Sequence, residues 1–330
     1  MPPPDKSLIK RGWHWDKANQ ELQAYNNGVE IIQYPLGNVY YVDGTNGVDT
    51  NSGTSWTTSF STIQKALDTV GTDGGRGRGK IYVAPGGYTE DLTTPLNAAA
   101  PFCELVAVNP TPGRSYGAVY LTASTAGAAV LTVQARGWRI SGFEFDALAD
   151  AECVILGGTT AGNNAAGTLI EDCLFVGQNQ GLTGIDWQNG VASNALCTVR
   201  NSGFYGFTSG STAGSTMRCT ISGIDQPTFA LIEDCWFGDS DNYIDMNPRG
   251  FKESTIRNNT FYFQGANQNA DEKFDNTGGS NCQVYGNAFG GVYTLAGGYV
   301  AGSGDDWSGN MAEAVSGESA NGWTFAVPAS

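Results

Sequence analysis

The chain has 330 residues, with 17 Lys and Arg against 32 Asp and Glu, a net charge of −15, and only 15% charged positions where ordinary soluble domains have roughly 25%. Its 46 glycines are about twice the usual share but show no three-residue period, and its 40% hydrophobic content is too high for disorder. Collagen, a disordered chain and a bundle of charged helices are excluded, which leaves a β protein with many turns, and an isoelectric point near 4.3 argues against nucleic acid as a partner.

The start, Met1-Pro-Pro-Pro-Asp5-Lys6, lacks the apolar core of a secretory signal, and no stretch reaches the ~18 apolar residues of a membrane span. The expected place of synthesis is a cytoplasm, with no membrane partner. Residues 1–38, containing Trp13-His-Trp15 and ending near Pro35, read as a segment separate from the rest. In the loop at residues 43–51, Asp43, Asn46, Asp49 and Asn51 offer oxygens that calcium accepts, but no Glu closes an EF-hand loop and the same residues make turns. Phe60, Ile63, Leu67 and Val70 fall at helical spacing and predict a helix over about 60–70, with Ser59 or Ser61 as cap.

Gly74-Gly-Arg-Gly-Arg-Gly79-Lys80 spells a phosphate loop by letter only, since Ile81 follows where Ser or Thr is needed and a strand comes next. Short β-branched runs, Lys80-Ile-Tyr-Val-Ala-Pro85, Glu104-Leu-Val-Ala-Val108, Ala118-Val-Tyr-Leu-Thr122 and Ala129-Val-Leu-Thr-Val133, predict strands separated by Gly, Pro and Asn. The seven cysteines (103, 153, 173, 197, 219, 235, 282) form no CxxC pair and His14 is the only histidine. They read as reduced, small core residues rather than zinc ligands or a disulfide framework.

From residue 140 a six-residue phrase recurs, written apolar, x, Asp/Asn/Gly, small, x, Phe. It stands as Ile140-Ser-Gly-Phe-Glu-Phe145, Ile170-Glu-Asp-Cys-Leu-Phe175, Val199-Arg-Asn-Ser-Gly-Phe204, Ile232-Glu-Asp-Cys-Trp-Phe237, Ile256-Arg-Asn-Asn-Thr-Phe261 and Val284-Tyr-Gly-Asn-Ala-Phe289, with openings 30, 29, 33, 24 and 28 residues apart. That period is one coil of a β-solenoid. The third column (Gly142, Asp172, Asn201, Asp234, Asn258, Gly286) holds the residue types that tolerate left-handed backbone, so a sharp bend is expected there. Ile or Val and Phe on either side suit a stacked interior, and the fourth column (Phe143, Cys173, Ser202, Cys235, Asn259, Asn287) is largely a small or amide ladder inside the bend. A second inward row is Thr168, Cys197, Ala230, Ser254 and Cys282. The second column, Glu171, Arg200, Glu233 and Arg257, alternates in sign as outward neighbours of a parallel stack should, with Arg200 expected to neutralise both glutamates. The helix is expected to plug the open first coil.

Three segments carry a family resemblance: Tyr40-Tyr-Val-Asp-Gly-Thr-Asn-Gly-Val-Asp-Thr-Asn-Ser-Gly53, Phe60-Ser-Thr-Ile-Gln-Lys-Ala-Leu67 and Ile81-Tyr-Val-Ala-Pro-Gly-Gly-Tyr-Thr-Glu90. Together they resemble the opening of right-handed parallel β-helix proteins of the pectate-lyase-like class, which includes phage tailspikes and other virion proteins. The resemblance implies that fold over about residues 39–310, an N-terminal attachment segment, and assembly as a homotrimer.

Such coils often carry carbohydrate-cleaving carboxylate pairs. The candidates are Asp239, Asp241 and Asp245; Asp271, Glu272 and Asp275; and Asp146, Asp150 and Glu152. The active-site spellings of the resembled enzymes are missing: Asp305-Asp306 is the one Asp-Asp, His14 lies outside the coil, and Arg249 in Asn247-Pro-Arg-Gly250 lacks its surrounding motif. No residue is therefore assigned a catalytic, cofactor or metal role.

The sequence thus predicts an all-β, right-handed parallel β-helix of about nine coils over residues 39–310, helix-capped, with a C-terminal tail at 311–330. The leading expectation is a non-enzymatic virion protein of a bacteriophage, a head decoration or compact spike, fastened to other virion proteins through its N-terminal segment. The alternatives are a depolymerase of host surface polysaccharide using acids between 239 and 275, and a glycan-binding adhesin presenting Trp187, Trp236 or Tyr243.

Overall fold

The third place of the phrase is where the chain turns. Gly142, Asp172, Asn201, Asp234, Asn258 and Gly286 all have left-handed backbone, with φ between 47° and 87°. The computed structural model describes residues 11–16, 21–26, 29–35, 38–73, 78–108, 118–158, 163–189, 194–208, 214–219, 226–246, 249–263, 274–291, 299–313 and 323–325. Before each bend a strand joins the first sheet, after it a strand joins the second, and a third strand completes the coil. The first sheet has ten strands from Val39–Val42 to Asp306–Ser308, and the second ten from Gly86–Thr89 to Trp323–Phe325. The third has eight among the described residues, from Leu92–Thr93 to Tyr299–Val300. All neighbours are parallel except Met311–Glu313 with Trp323–Phe325, which pair antiparallel. The molecule is a right-handed parallel β-helix.

Stacking like on like fills the interior. The column-six rings of Phe145, Phe175, Phe204, Phe237, Phe261 and Phe289 stack with centroids 4.5–5.2 Å apart and planes within 11°. Inside the bend an amide ladder satisfies the turning backbone. Asn259 Oδ1 accepts from the Cys235 amide at 2.9 Å, Asn287 Oδ1 from the Asn259 amide at 2.9 Å, and Asn310 Oδ1 from the Asn287 amide at 3.0 Å. Each Asn Nδ2 in turn donates to a carbonyl of the first sheet, Ile232, Ile256 or Val284. All seven cysteines are buried free thiols.

On the outward face of the first sheet, Glu104 takes Lys80 at 3.1 Å and Arg139 at 3.0 Å, and Glu171 takes Arg139 at 2.6 Å and Arg200 at 2.5 Å. The pairing differs from the expected one in a single step, because Glu233 takes Arg257, with Nε 2.9 Å away, while Arg200 turns toward Glu171.

The helix runs Ile63–Thr72, three residues later than expected, and buries Ile63, Ala66, Leu67 and Val70 against the first coils. Its cap is Thr62, whose hydroxyl accepts from the Lys65 amide, and neither Ser59 nor Ser61 serves. Two carboxylates move the boundary: Asp49 accepts from the Ser61 and Thr62 amides at 2.9 and 3.0 Å, and Glu90 from Ile63 and Gln64 at 2.9 Å each. Phe60 stays outside the helix as a core residue bridged to Val42. Ahead of the coil, Arg11–Asp16, Glu21–Asn26 and Val29–Pro35 form a separate antiparallel sheet, with a bulge at Ala24/Tyr25.

Candidate functional site

The third sheet alternates like any strand, but its outward column is unlike that of the first. Strands Glu152–Gly158, Thr183–Asn189, Ser215–Arg218, Asn242–Asp245 and Phe274–Asp275 pair in register, placing Val154, Ile185, Met217, Ile244 and Phe274 in one fully buried apolar row. The next residue along each strand faces away from the core. That outward column reads Ile155, Asp186, Arg218, Asp245, Asp275.

Arg218 organises it. Its Nη2 lies 2.6 Å from Glu152 Oε1 and 3.3 Å from Asp186 Oδ2, and its Nε also donates to Asp186 Oδ2 at 3.3 Å. The guanidinium covers Asp186, which is fully buried and also accepts from Gln188 Nε2 at 3.1 Å. Asp245 is the register partner of Arg218 on the opposite side, and Asp275 follows it. Asp275 is 1% exposed; its Oδ1 accepts from the Thr277 amide at 2.6 Å, while its buried Oδ2 has no hydrogen-bond partner. Burial pushes the Glu152 carboxyl above its ordinary value, with the Arg218 charge pulling it back and Asp186 pushing it further up.

The candidate acids read from the sequence are therefore redistributed. Asp245 and Asp275 stand on neighbouring rungs of the third sheet, and Glu152 reaches Arg218 from a strand at the other end of that column. Asp146 lies on the second sheet and Asp150 in the turn after it, so that triplet does not assemble. Asp241 is buried and accepts from the Gly214 amide at 3.0 Å, and Asp239 occupies a left-handed turn, away from strand register. Asp271 and Glu272 lie outside the described residues. Sequence reasoning missed Asp186 and Arg218, which sit inside apolar strands. Asp305 accepts from Asn276 Nδ2 and the Cys282 and Gly302 amides, a turn-bracing role.

Asp43 is occupied with the Thr45 and Asn46 amides and Asn46 Nδ2, and Asp49 with the helix cap, so both serve the turn. Among the described residues no group of three or more His, Cys, Asp or Glu is placed to hold a metal ion. Trp187 and Tyr243 are buried, which removes them from any glycan-contacting surface, whereas Trp236 is exposed. A cleft of about 500 Å³ beside the helix, lined among others by Gln64, Pro95, Leu96 and Gln134, holds one carboxylate, Asp68, and none of the acids above.

No protein-family model and no curated protein sequence matches the chain. Among solved structures it is similar to the pectate lyase Pel9A, at 13% identity and a TM-score of 0.47, over 86% of this chain and 80% of that one. It is similar also to a pectin methylesterase from Aspergillus niger, at 14% identity and a TM-score of 0.46, over 90% and 91%. ORF18 of Geobacillus virus E2 is similar at 13% identity and a TM-score of 0.33, over 93% and 71%. None of these likenesses bears on the reaction.

Proposed function

We propose that the protein acts on a polysaccharide, with the outward column of the third sheet as its reactive centre. The observation that carries this reading is Asp275, a buried carboxylate with an unpartnered oxygen, next in register to Asp245 beyond Arg218. A carboxylate kept in that state costs stability, and such groups cluster where chemistry needs them. The first sheet supplies the contrast: there acids and bases alternate, and here, among the described residues, Asp186, Asp245 and Asp275 share a column with one guanidinium. Asp245 and Asp275 stand on neighbouring rungs about 4.8 Å apart, close to the ~5–5.5 Å between the two acids of a retaining glycosidase. In that hydrolysis one acid of the Asp245–Asp275 pair protonates the bridging oxygen as its bond to the sugar carbon breaks, the other adds to that carbon, and water then releases the sugar from it. Purified protein on a panel of bacterial surface polysaccharides is expected to release new reducing ends, and Asp275→Asn to lower the rate about a hundredfold or more. Release unchanged in that variant, or no release from any polymer, would refute the centre.

A second reading, compatible with the first, is a structural component of a bacteriophage particle. The antiparallel sheet at residues 11–35 supports it, because none of its strands joins a sheet of the coil, as suits a segment that fastens to other virion proteins. The coil would then project from the particle, as a homotrimer by analogy with viral β-helices, toward a host surface glycan. Antibody labelling of purified particles is expected to place the protein on them, and unlabelled particles would count against this reading.

A further inference from the structure

The geometry points to a second glycan site, a flat aromatic strip on the outward face of the second sheet that binds an uncharged polysaccharide chain by stacking. Two glycines reveal how the rings lie. A Cβ on Gly238 would stand 2.5 Å from Trp236 Cη2, and one on Gly87 would stand 2.3 Å from Tyr120 Cζ. Each ring therefore occupies the space above a glycine, one face down on the strand and the other open to solvent. Tyr205, on the rung before Trp236, is parallel to it within 12° at 6.3 Å. That spacing is wider than the 4.5–5.2 Å of the buried phenylalanine stack, so the two parallel rings are offset from one another. Tyr262 is one rung further on. Tyr205, Trp236 and Tyr262 are 38%, 40% and 39% exposed, and Tyr120 48%.

Open aromatic faces carry negative quadrupole and match the C–H faces of pyranose rings. Nucleobases stack in the same manner, but the net charge of −15 opposes a polyanion. Between Tyr120 and Tyr205 the face presents Glu144 and Asp146 on one rung and Leu174 and Val176 on the next, and Asp146 Oδ1 is buried with no hydrogen-bond partner. Burial raises the carboxyls of both acids. A polymer rich in hydroxyl donors and free of charge answers both the rings and these acceptors.

Affinity electrophoresis through gels containing dextran, galactomannan or hydroxyethylcellulose, with polygalacturonate as the charged comparison, tests the strip separately from turnover on the third sheet. At least one uncharged polymer is expected to retard the protein. Trp236→Ala is expected to weaken that binding about tenfold. Gly238→Ala should do the same while keeping the indole, because the added methyl lifts the ring off the strand. Retardation by polygalacturonate alone, or by no polymer, overturns the site, as does unchanged binding in both variants with unfolding midpoints intact. An oligomer that dissociates in Trp236→Ala, seen by sedimentation, also overturns it by assigning the face to a second copy of the chain.

Discussion

Replacing Arg218 by methionine is expected to cost about 3–5 kcal/mol at neutral pH, because it keeps the side-chain stem but strips the counter-charge from buried acids. Asp186 is fully buried beneath the guanidinium, and Glu152 sits 2.6 Å from it. Without the guanidinium, Glu152 must protonate or remain charged where burial already raises its carboxyl. The pH dependence follows from the direction of the Glu152 shift, which is upward from 4.5. A folded-state value above the unfolded one means the folded protein binds the extra proton, so stability falls as pH rises from the unfolded value through the folded one. Removing Arg218 raises the folded value further. The variant's deficit should therefore be largest at neutral pH and shrink as pH drops toward 4.5, when measured by urea unfolding. A deficit independent of pH would show that Arg218 acts by packing alone. On the first sheet, Arg257→Met removes an exposed partner of Glu233 and should change little.

The bend after the first sheet is legible because its residues are Gly, Asp and Asn, chosen for a backbone that other residues avoid. A second column of left-handed residues, between the third sheet and the first, is hidden in the sequence. Arg78, Phe102, Gly137, Gly167, Leu196, Phe229, Glu253, Asn281 and Gly304 all have positive φ. Their amides run on from rung to rung, as Phe102 to the Arg136 carbonyl at 2.8 Å and Leu196 to the Thr228 carbonyl at 2.9 Å. Phe and Leu give no turn signal, and coil-to-coil hydrogen bonding overrides their local preference. A seventh copy of the phrase was hidden for a related reason. Trp307 and Ala312 align with Val284 and Phe289, and Gly309 and Asn310 supply bend and ladder, but neither end of the phrase keeps its usual residue.

The candidate site was half legible. Glu152, Asp245 and Asp275 were picked as acids near phrase ends, yet the phrase fixes register only for the first two sheets. Loops of varying length lie on both sides of the third sheet, and the 24- to 33-residue spread of the repeat is the sum of the two variations. Without that register nothing in the sequence singles out Asp186 or Arg218, and Trp187 and Tyr243 read as surface aromatics. The helix cap shifted for a comparable reason: Asp49 and Glu90 arrive from outside the helix, one of them 27 residues downstream of Ile63.

Phe204→Ala should be as costly as Arg218→Met, about 3–5 kcal/mol, but without any pH dependence. Phe204 is fully buried between Phe175 at 4.5 Å and Phe237 at 4.9 Å, with planes within 6°, so both its faces are in contact. Strand hydrogen bonds hold the rungs about 4.8 Å apart, so the neighbouring rings cannot close over the gap and a cavity remains. Gly184 shows how full the site is, since a Cβ there would already stand 2.9 Å from Phe204 Cδ1. Phe289, at the far end of the aligned rings, packs on Phe261 at 4.7 Å and on Trp307 more distantly at 6.3 Å, so Phe289→Ala should cost less. Because each coil pairs its strands only with the neighbouring coils, weakening a middle rung also weakens the coupling between the two halves of the stack. Urea unfolding of Phe204→Ala should then show a lower midpoint together with a lower slope, whereas Phe289→Ala should lower the midpoint alone. Equal slopes in the two variants would show that the coil unfolds as one unit in spite of its one-dimensional contacts.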